Sequence, residues 1–139
     1  RIEAVNMRII GDNALANSQI KAQEKNISHK INGEATWTTD GEIIYQILDN
    51  LVTNAVLYTS NNGSVDLIIS NDEIAVKNKP ATIEESLKPV IFEAFVTGEA
   101  KGGHGLGLYV VKHFADSLNM KIYFETKEDE VSFILKRKV

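Results

Sequence analysis

The stretch DGEIIYQILDNLVTNAVLY, residues 40–58, decides the fold. Ile43, Ile44, Ile47, Leu48, Leu51, Val52 and Ala55 recur at spacings of three and four, which predicts a helix with one broad buried face. Thr39 followed three residues later by Glu42 reads as a capping box, so the helix is expected to begin near Asp40. Its end is expected near Tyr58, before the polar run from Ser60 to Gly63. Three polar residues, Gln46, Asn50 and Asn54, sit four apart and line one stripe that rises about 6 Å per step. Asn is a poor helix former because its amide competes for backbone groups, so two of them in a Leu- and Val-rich helix ask for a reason. Carboxamide oxygens that coordinate a hard cation, or its water, beside a phosphate ligand are one reason. A solvated stripe, or Asn side chains bonded to a neighbouring loop, accounts for the same pattern.

Upstream, Asn13 to Lys25 predicts a modest amphipathic helix, and the alternation from Ile27 to Ile31 predicts a half-buried strand. Downstream, Ser64 to Ser70 and Ile74 to Asn78 read as strands joined at Asn71-Asp72. A Pro-containing connection with Ile83, Leu87, Ile91, Phe92 and Phe95 leads to a Gly-rich stretch, Thr97 to Gly105. A second helix is expected from about Leu106 to Leu118, with Leu108, Val111, Ala115 and Leu118 on one face. Strands Lys121 to Thr126 and Val131 to Lys136 close the chain around an acidic turn. Adjacent strand pairs with helices set apart give the α+β class. The expected form is a two-layer α/β sandwich, a mixed and largely antiparallel sheet with helices on one face.

The 139 residues, 43% hydrophobic and 24% charged, suit one domain and exclude a disordered segment. A formal net charge of -4 argues against a nucleic-acid groove, which needs clustered Lys and Arg. The absence of Cys excludes a disulfide scaffold, a thiolate zinc site and a Cys nucleophile. No apolar run approaches the roughly 18–20 residues of a membrane span. The chain opens at Arg1 without a Met, and we expect a piece cut from a longer protein.

Gly102-Gly103-His104-Gly105-Leu106-Gly107-Leu108 precedes the second helix. Glycines there let backbone amides and the positive helix end receive an anion such as phosphate. A flexible hinge entering a helix is the alternative. A P-loop is excluded because no Gly-Lys-Ser/Thr follows, and a dinucleotide fingerprint is excluded by spacing. His29, His104 and His113 are scattered without metal-ligand pairing. Trp37 is expected in the core or at a sheet edge, and Phe92 and Phe95 as anchors of the Gly-rich stretch.

In this order the features resemble a known family. QILDNLVTNAVLYT (46–59) resembles the N box of the sensor histidine kinase ATP-binding domain, a GHKL superfamily member alongside gyrase, the heat-shock chaperone ATPase and MutL. IFEAFVTG (91–98) resembles the F box and GGHGLGLYVVKHF (102–114) the second glycine box. The lead-in GDNALANSQIKAQEKNI (11–27) is similar to Gram-positive sensor kinases of the vancomycin-resistance type. The resemblance implies a sandwich that binds ATP with Mg²⁺ between the N-box helix and the glycine box, under a short lid at Thr97 to Lys101. It implies Asn54 as the Mg²⁺ ligand, Asn50 beside the phosphates and Tyr58 bordering the nucleotide. Gly103, Gly105 and Gly107, with the amides of Leu106 and Leu108, are then implied to hold the phosphates.

Two positions depart from the pattern. Asn78, in VKNKP (76–80), stands where the family has the Asp that accepts the adenine amino group. Its oxygen can accept that hydrogen bond, and its amide can also turn and donate. Leu57 replaces a Lys or Arg that reaches the phosphates, which predicts weaker ATP affinity. The position four before the Mg²⁺ Asn is a Glu general base in the ATP-hydrolysing relatives, but here it is Asn50, which takes no proton. A neutral imidazole already offers a lone pair, so Asn50 favours phosphoryl transfer to His over hydrolysis. The acceptor His is not expected in this chain. The implied partners are a His-bearing dimerisation domain of the same kinase and a response regulator, with no nucleic acid and no direct membrane contact. The implied setting is a cytoplasmic, monomeric domain of a membrane-anchored parent. A degenerate GHKL domain that only binds a partner, or a GHKL ATPase, are the alternatives.

Overall fold

A computed structural model describes residues 1–94 and 107–138. Strand β1 (Ile2–Asn6) leads into helix α1 (Met7–Asn17), then helix α2 (Gln19–Glu24), strand β2 (Ser28–Asn32) and strand β3 (Thr36–Asp40). Helix α3 (Gly41–Tyr58) is followed by β4 (Ser64–Ile69) and β5 (Glu73–Lys79), and a 3₁₀ turn spans Lys88–Val90. Helix α4 (Gly107–Ser117) and strands β6 (Met120–Lys127) and β7 (Glu130–Arg137) complete the described elements.

The main sheet runs β2-β4-β5-β7-β6, parallel only between β2 and β4. Its register sorts side chains by face, because successive residues of a strand point to opposite sides. Val65, Asn78 and Val131 form one row, Leu67, Val76 and Phe133 the next, and Ile69, Ile74 and Leu135 the third. All nine are buried, the eight apolar ones in the core with Ile44, Ile47, Leu48, Leu51 and Val52 of α3. The opposite face carries Asp66, Lys77, Ser132 and Glu125 in one row. Beside it run Ile68, Ala75, Ile134 and Tyr123. On this face the Lys121 ammonium lies 5.1 Å from the Tyr123 ring centroid. Burial, with Glu73 and Glu125 nearby, pushes the Tyr123 phenol above its ordinary pKa. One face is therefore core, and the other carries charge at Asp66, Lys77 and Glu125 over buried Ala75, Ser132 and Ile134, the two-layer sandwich expected from the sequence.

Two local expectations are corrected, and one element is added. The first helix does not run from Asn13 to Lys25. It starts at Met7, because the Asn6 side chain accepts from the amides of Arg8 (3.0 Å) and Ile9 (3.2 Å), and it breaks at Ser18. The capping box at Thr39 does not form: Thr39 is buried in β3, opposite Glu3. The cap of α3 is Asp40, whose carboxylate accepts from the amide of Ile43 at 3.1 Å. The unforeseen element is an antiparallel ribbon of β1 and β3. It is pinned by Trp37, fully buried, whose indole N–H donates to the Ser70 carbonyl at 3.1 Å under the Arg137 guanidinium, 5.0 Å from the ring.

Candidate functional site

Helix α3 presents two unlike sides. Ile44, Ile47, Leu48, Leu51, Val52, Ala55 and Val56 face the core. Gln46 is exposed, and Asn50, Asn54 and Tyr58 are half-buried. Among the described residues neither Asn50 nor Asn54 has a hydrogen-bond partner, so these carboxamides are not spent on any described neighbouring segment. Each offers one acceptor oxygen and two donor hydrogens to whatever enters.

The C-terminal end of α3 is built tightly. The Thr59 amide donates to the Ala55 carbonyl (3.0 Å) and the Ser60 amide to the Pro80 carbonyl (3.1 Å), which ties α3 to the end of β5. Lys25 donates to the carbonyls of Val56 (2.7 Å) and Leu57 (3.0 Å), a cation at the negative helix end. Gly63 fits because a Cβ there would lie 2.4 Å from the Lys79 carbonyl oxygen and 2.5 Å from Thr59 Cγ2. Asn78, on the core-facing side of β5, is 4% exposed, and its Nδ2 donates to Thr59 Oγ1 at 2.9 Å.

Helix α4 packs against α3, burying Val111 and Ala115 with Leu108 half-buried beside the core. Gly107 is exposed at its start. Gly103, Gly105, Leu106, the lid at Thr97 to Lys101 and Phe95 lie outside the described residues. Phe92 does anchor the connection: its ring meets Phe133 edge-on at 6.1 Å and Phe124 at 6.4 Å. The structure thus draws Asn50, Asn54 and Tyr58 onto one helix, links Asn78 to the end of that helix, and packs the Gly107–Leu108 start of α4 onto the same core. Sequence reasoning missed Thr59 and Lys25, since neither contact has a local pattern. It also missed a groove of about 840 Å³ at the opposite end of α3, lined by Glu3, Val5, Ile10, Ile43, Tyr45 and Gln46 among others.

Comparison with known proteins bears on the family and the fold. The family model described as "Histidine kinase-, DNA gyrase B-, and HSP90-like ATPase" matches residues 39–138. The chain is 29% identical over 132 residues to the sensor-like histidine kinase SenX3 of Mycolicibacterium smegmatis, covering 87% of this chain. It is 29% identical over 121 residues to the sensor protein VanSC of Enterococcus gallinarum, covering 80% of this chain. It spans about a third (34%) of the length of each of these relatives. The nucleotide-free catalytic domain of histidine kinase ThkA superposes with a TM-score of 0.85 at 26% identity, over 97% of this chain and 93% of that one. ThkA in complex with the response regulator protein TrrA matches with a TM-score of 0.79 at 25% identity, over 96% and 40% of the two chains. The match of the family model over residues 39–138, on a fold shared with histidine kinase catalytic domains, makes this chain a member of the histidine kinase-, DNA gyrase B- and HSP90-like ATPase family.

Proposed function

We propose that this domain binds ATP with Mg²⁺ and donates the γ-phosphoryl group to a His on a separate dimerisation domain of the same kinase, for relay to a response regulator. The observation that carries the reading is the pair Asn50 and Asn54, half-buried on α3 without protein partners among the described residues. Hard oxygen donors of this kind suit Mg²⁺, so Asn54 would hold the ion. When bound, the ion neutralises charge on the phosphates. Asn50 positions the reacting group but takes no proton, which suits an imidazole acceptor better than water. Nitrogen attacks phosphorus, the bond to the β–γ bridging oxygen breaks and ADP leaves. Tyr58 borders the base, Asn78 reads it, and Gly103, Gly105, Gly107 and the amides of Leu106 and Leu108 hold the phosphates. The chain's contribution is alignment and charge stabilisation. We place the domain in the cytoplasm, within a membrane-anchored parent.

Titration calorimetry with ATP, with and without Mg²⁺, tests the proposal on the protein and on Asn54→Ala. The expected result is binding in the micromolar to sub-millimolar range that weakens with EDTA and with the substitution. Transfer to His is expected only when the dimerisation domain is supplied. A folded protein that gives no heat at millimolar ATP would instead be a partner-binding module. Mg²⁺-dependent turnover without an acceptor would identify an ATPase.

A further inference from the structure

The chain contains two Asn-Gly steps, Asn32-Gly33 and Asn62-Gly63, and the fold holds them in opposite ways. An Asn followed by Gly can lose its side-chain amide without an enzyme. A residue with no Cβ leaves its backbone nitrogen unhindered, so that nitrogen can attack the neighbouring carboxamide carbon. At Asn62 both reacting groups are engaged. The Asn62 carboxamide oxygen accepts from Asn26 Nδ2 at 2.7 Å, and the Gly63 amide donates to the Ser60 carbonyl at 3.1 Å. The Asn62 amide donates to the Lys25 carbonyl at 2.9 Å, and Gly63 is buried. Asn32 and Gly33 lie where β2 ends, and both are exposed. Neither the Asn32 carboxamide nor the Gly33 amide has a hydrogen-bond partner among the described residues.

We propose that Asn32 is a site of spontaneous deamidation and isoaspartate formation, and that hydrogen bonding protects the second step at Asn62. The Gly33 nitrogen loses its proton and attacks Cγ of Asn32. The Cγ–Nδ2 bond breaks, and the departing nitrogen takes up a proton and leaves as ammonia. Water then opens the resulting succinimide at either carbonyl, giving aspartate or isoaspartate. One water is consumed and one ammonia released, with no oxidant or reductant. Both products add a negative charge at the end of β2. Isoaspartate also adds a methylene to the main chain where there is no slack, since a Cβ on Gly33 would lie 2.1 Å from the Ile69 carbonyl oxygen. That product displaces the Gly33 carbonyl from the Arg8 guanidinium, a 3.2 Å contact that joins α1 to the end of β2.

The test incubates the protein, folded and in urea, in warm, mildly alkaline heavy-oxygen water. Conversion at each Asn is followed by tandem mass spectrometry, with electron-transfer fragmentation to separate isoaspartate from aspartate. In the folded protein Asn32 is expected to convert at least about tenfold faster than Asn62, which reacts only after its hydrogen bonds open. In urea the two rates should come within about threefold of each other, because the same dipeptide is then open at both places. Each converted Asn32 should carry one heavy oxygen, and isoaspartate should be among the products. Asn26→Gly suits the left-handed backbone at φ 54° and removes the side-chain bond to Asn62. With its fold checked by circular dichroism, this variant is expected to raise Asn62 conversion at least about threefold. Equal rates at the two positions in the folded protein would overturn the proposal. So would an intact Asn32 under conditions where the chain in urea converts, or an unchanged Asn62 rate in folded Asn26→Gly.

Discussion

At the scale of single residues, the end of α3 is governed by close contacts between groups far apart in sequence. Asn78 and Thr59 are 19 positions apart, yet each limits how the other can be replaced. Gly63 is the third member. A methyl group there meets the Lys79 carbonyl oxygen at 2.4 Å and Thr59 Cγ2 at 2.5 Å, so the backbone of β5 or the helix end must shift. Gly63→Ala is therefore expected to destabilise the protein by about 1–3 kcal/mol, the usual cost of overpacking. Urea denaturation followed by circular dichroism measures it, and a midpoint equal to that of the wild type would show that the turn yields freely. The Asn78 position was legible in the sequence as a departure from its family's pattern. Its hydrogen bond with Thr59 was not, because a side-chain hydrogen bond between a helix end and a strand leaves no periodic trace.

At the scale of elements, α3 was read nearly to its bounds because its apolar spacing is regular over 18 residues. Its cap was misplaced by one residue. Thr39 and Asp40 are both good cap types, and the choice was made by β3, which buries Thr39 against β1 and leaves Asp40 at the junction. The amide of Ile43, at the positive end of α3, draws the Asp40 carboxyl below its ordinary value of 3.8. A carboxylate with a lowered folded-state pKa contributes stability that is complete above the unfolded value and is lost as pH falls through the folded one. Asp40→Asn keeps a cap acceptor but not the charge. Its melting temperature should lie below that of the wild type at pH 7, with the gap closing as the pH drops below about 4. A gap of equal size at pH 7 and pH 3 would show that the charge contributes nothing. The first helix was less legible: its apolar positions are sparse, and its true start depends on the Asn6 side chain.

At the scale of the whole molecule, the β1–β3 ribbon is the element whose attachment is least obvious. It forms a separate sheet, and its anchor is Trp37, buried against the β4–β5 turn through the Ser70 carbonyl and covered by Arg137 from β7. Three distant segments thus meet at one side chain, so the ribbon should not detach before the sheet melts. Trp37 is the only tryptophan and reports this directly. Its fluorescence is expected to be blue-shifted and to change with denaturant at the same midpoint as the circular dichroism signal, as in a two-state transition. An earlier fluorescence transition would mark the ribbon as an independently opening unit.

The sequence by itself determined the α+β class, the long helix and its Asn stripe, the two hairpins of the main sheet and the family. Each of these is written in local periodicity or in short ordered motifs, which survive without knowledge of distant contacts. Only the tertiary structure decided the ribbon, the identity of the α3 cap, the Lys25 contact at the helix end and the Asn78–Thr59 hydrogen bond. Those depend on which surfaces meet after folding. A carboxamide, a hydroxyl or a carboxylate has several partners open to it in the unfolded chain, and packing leaves one.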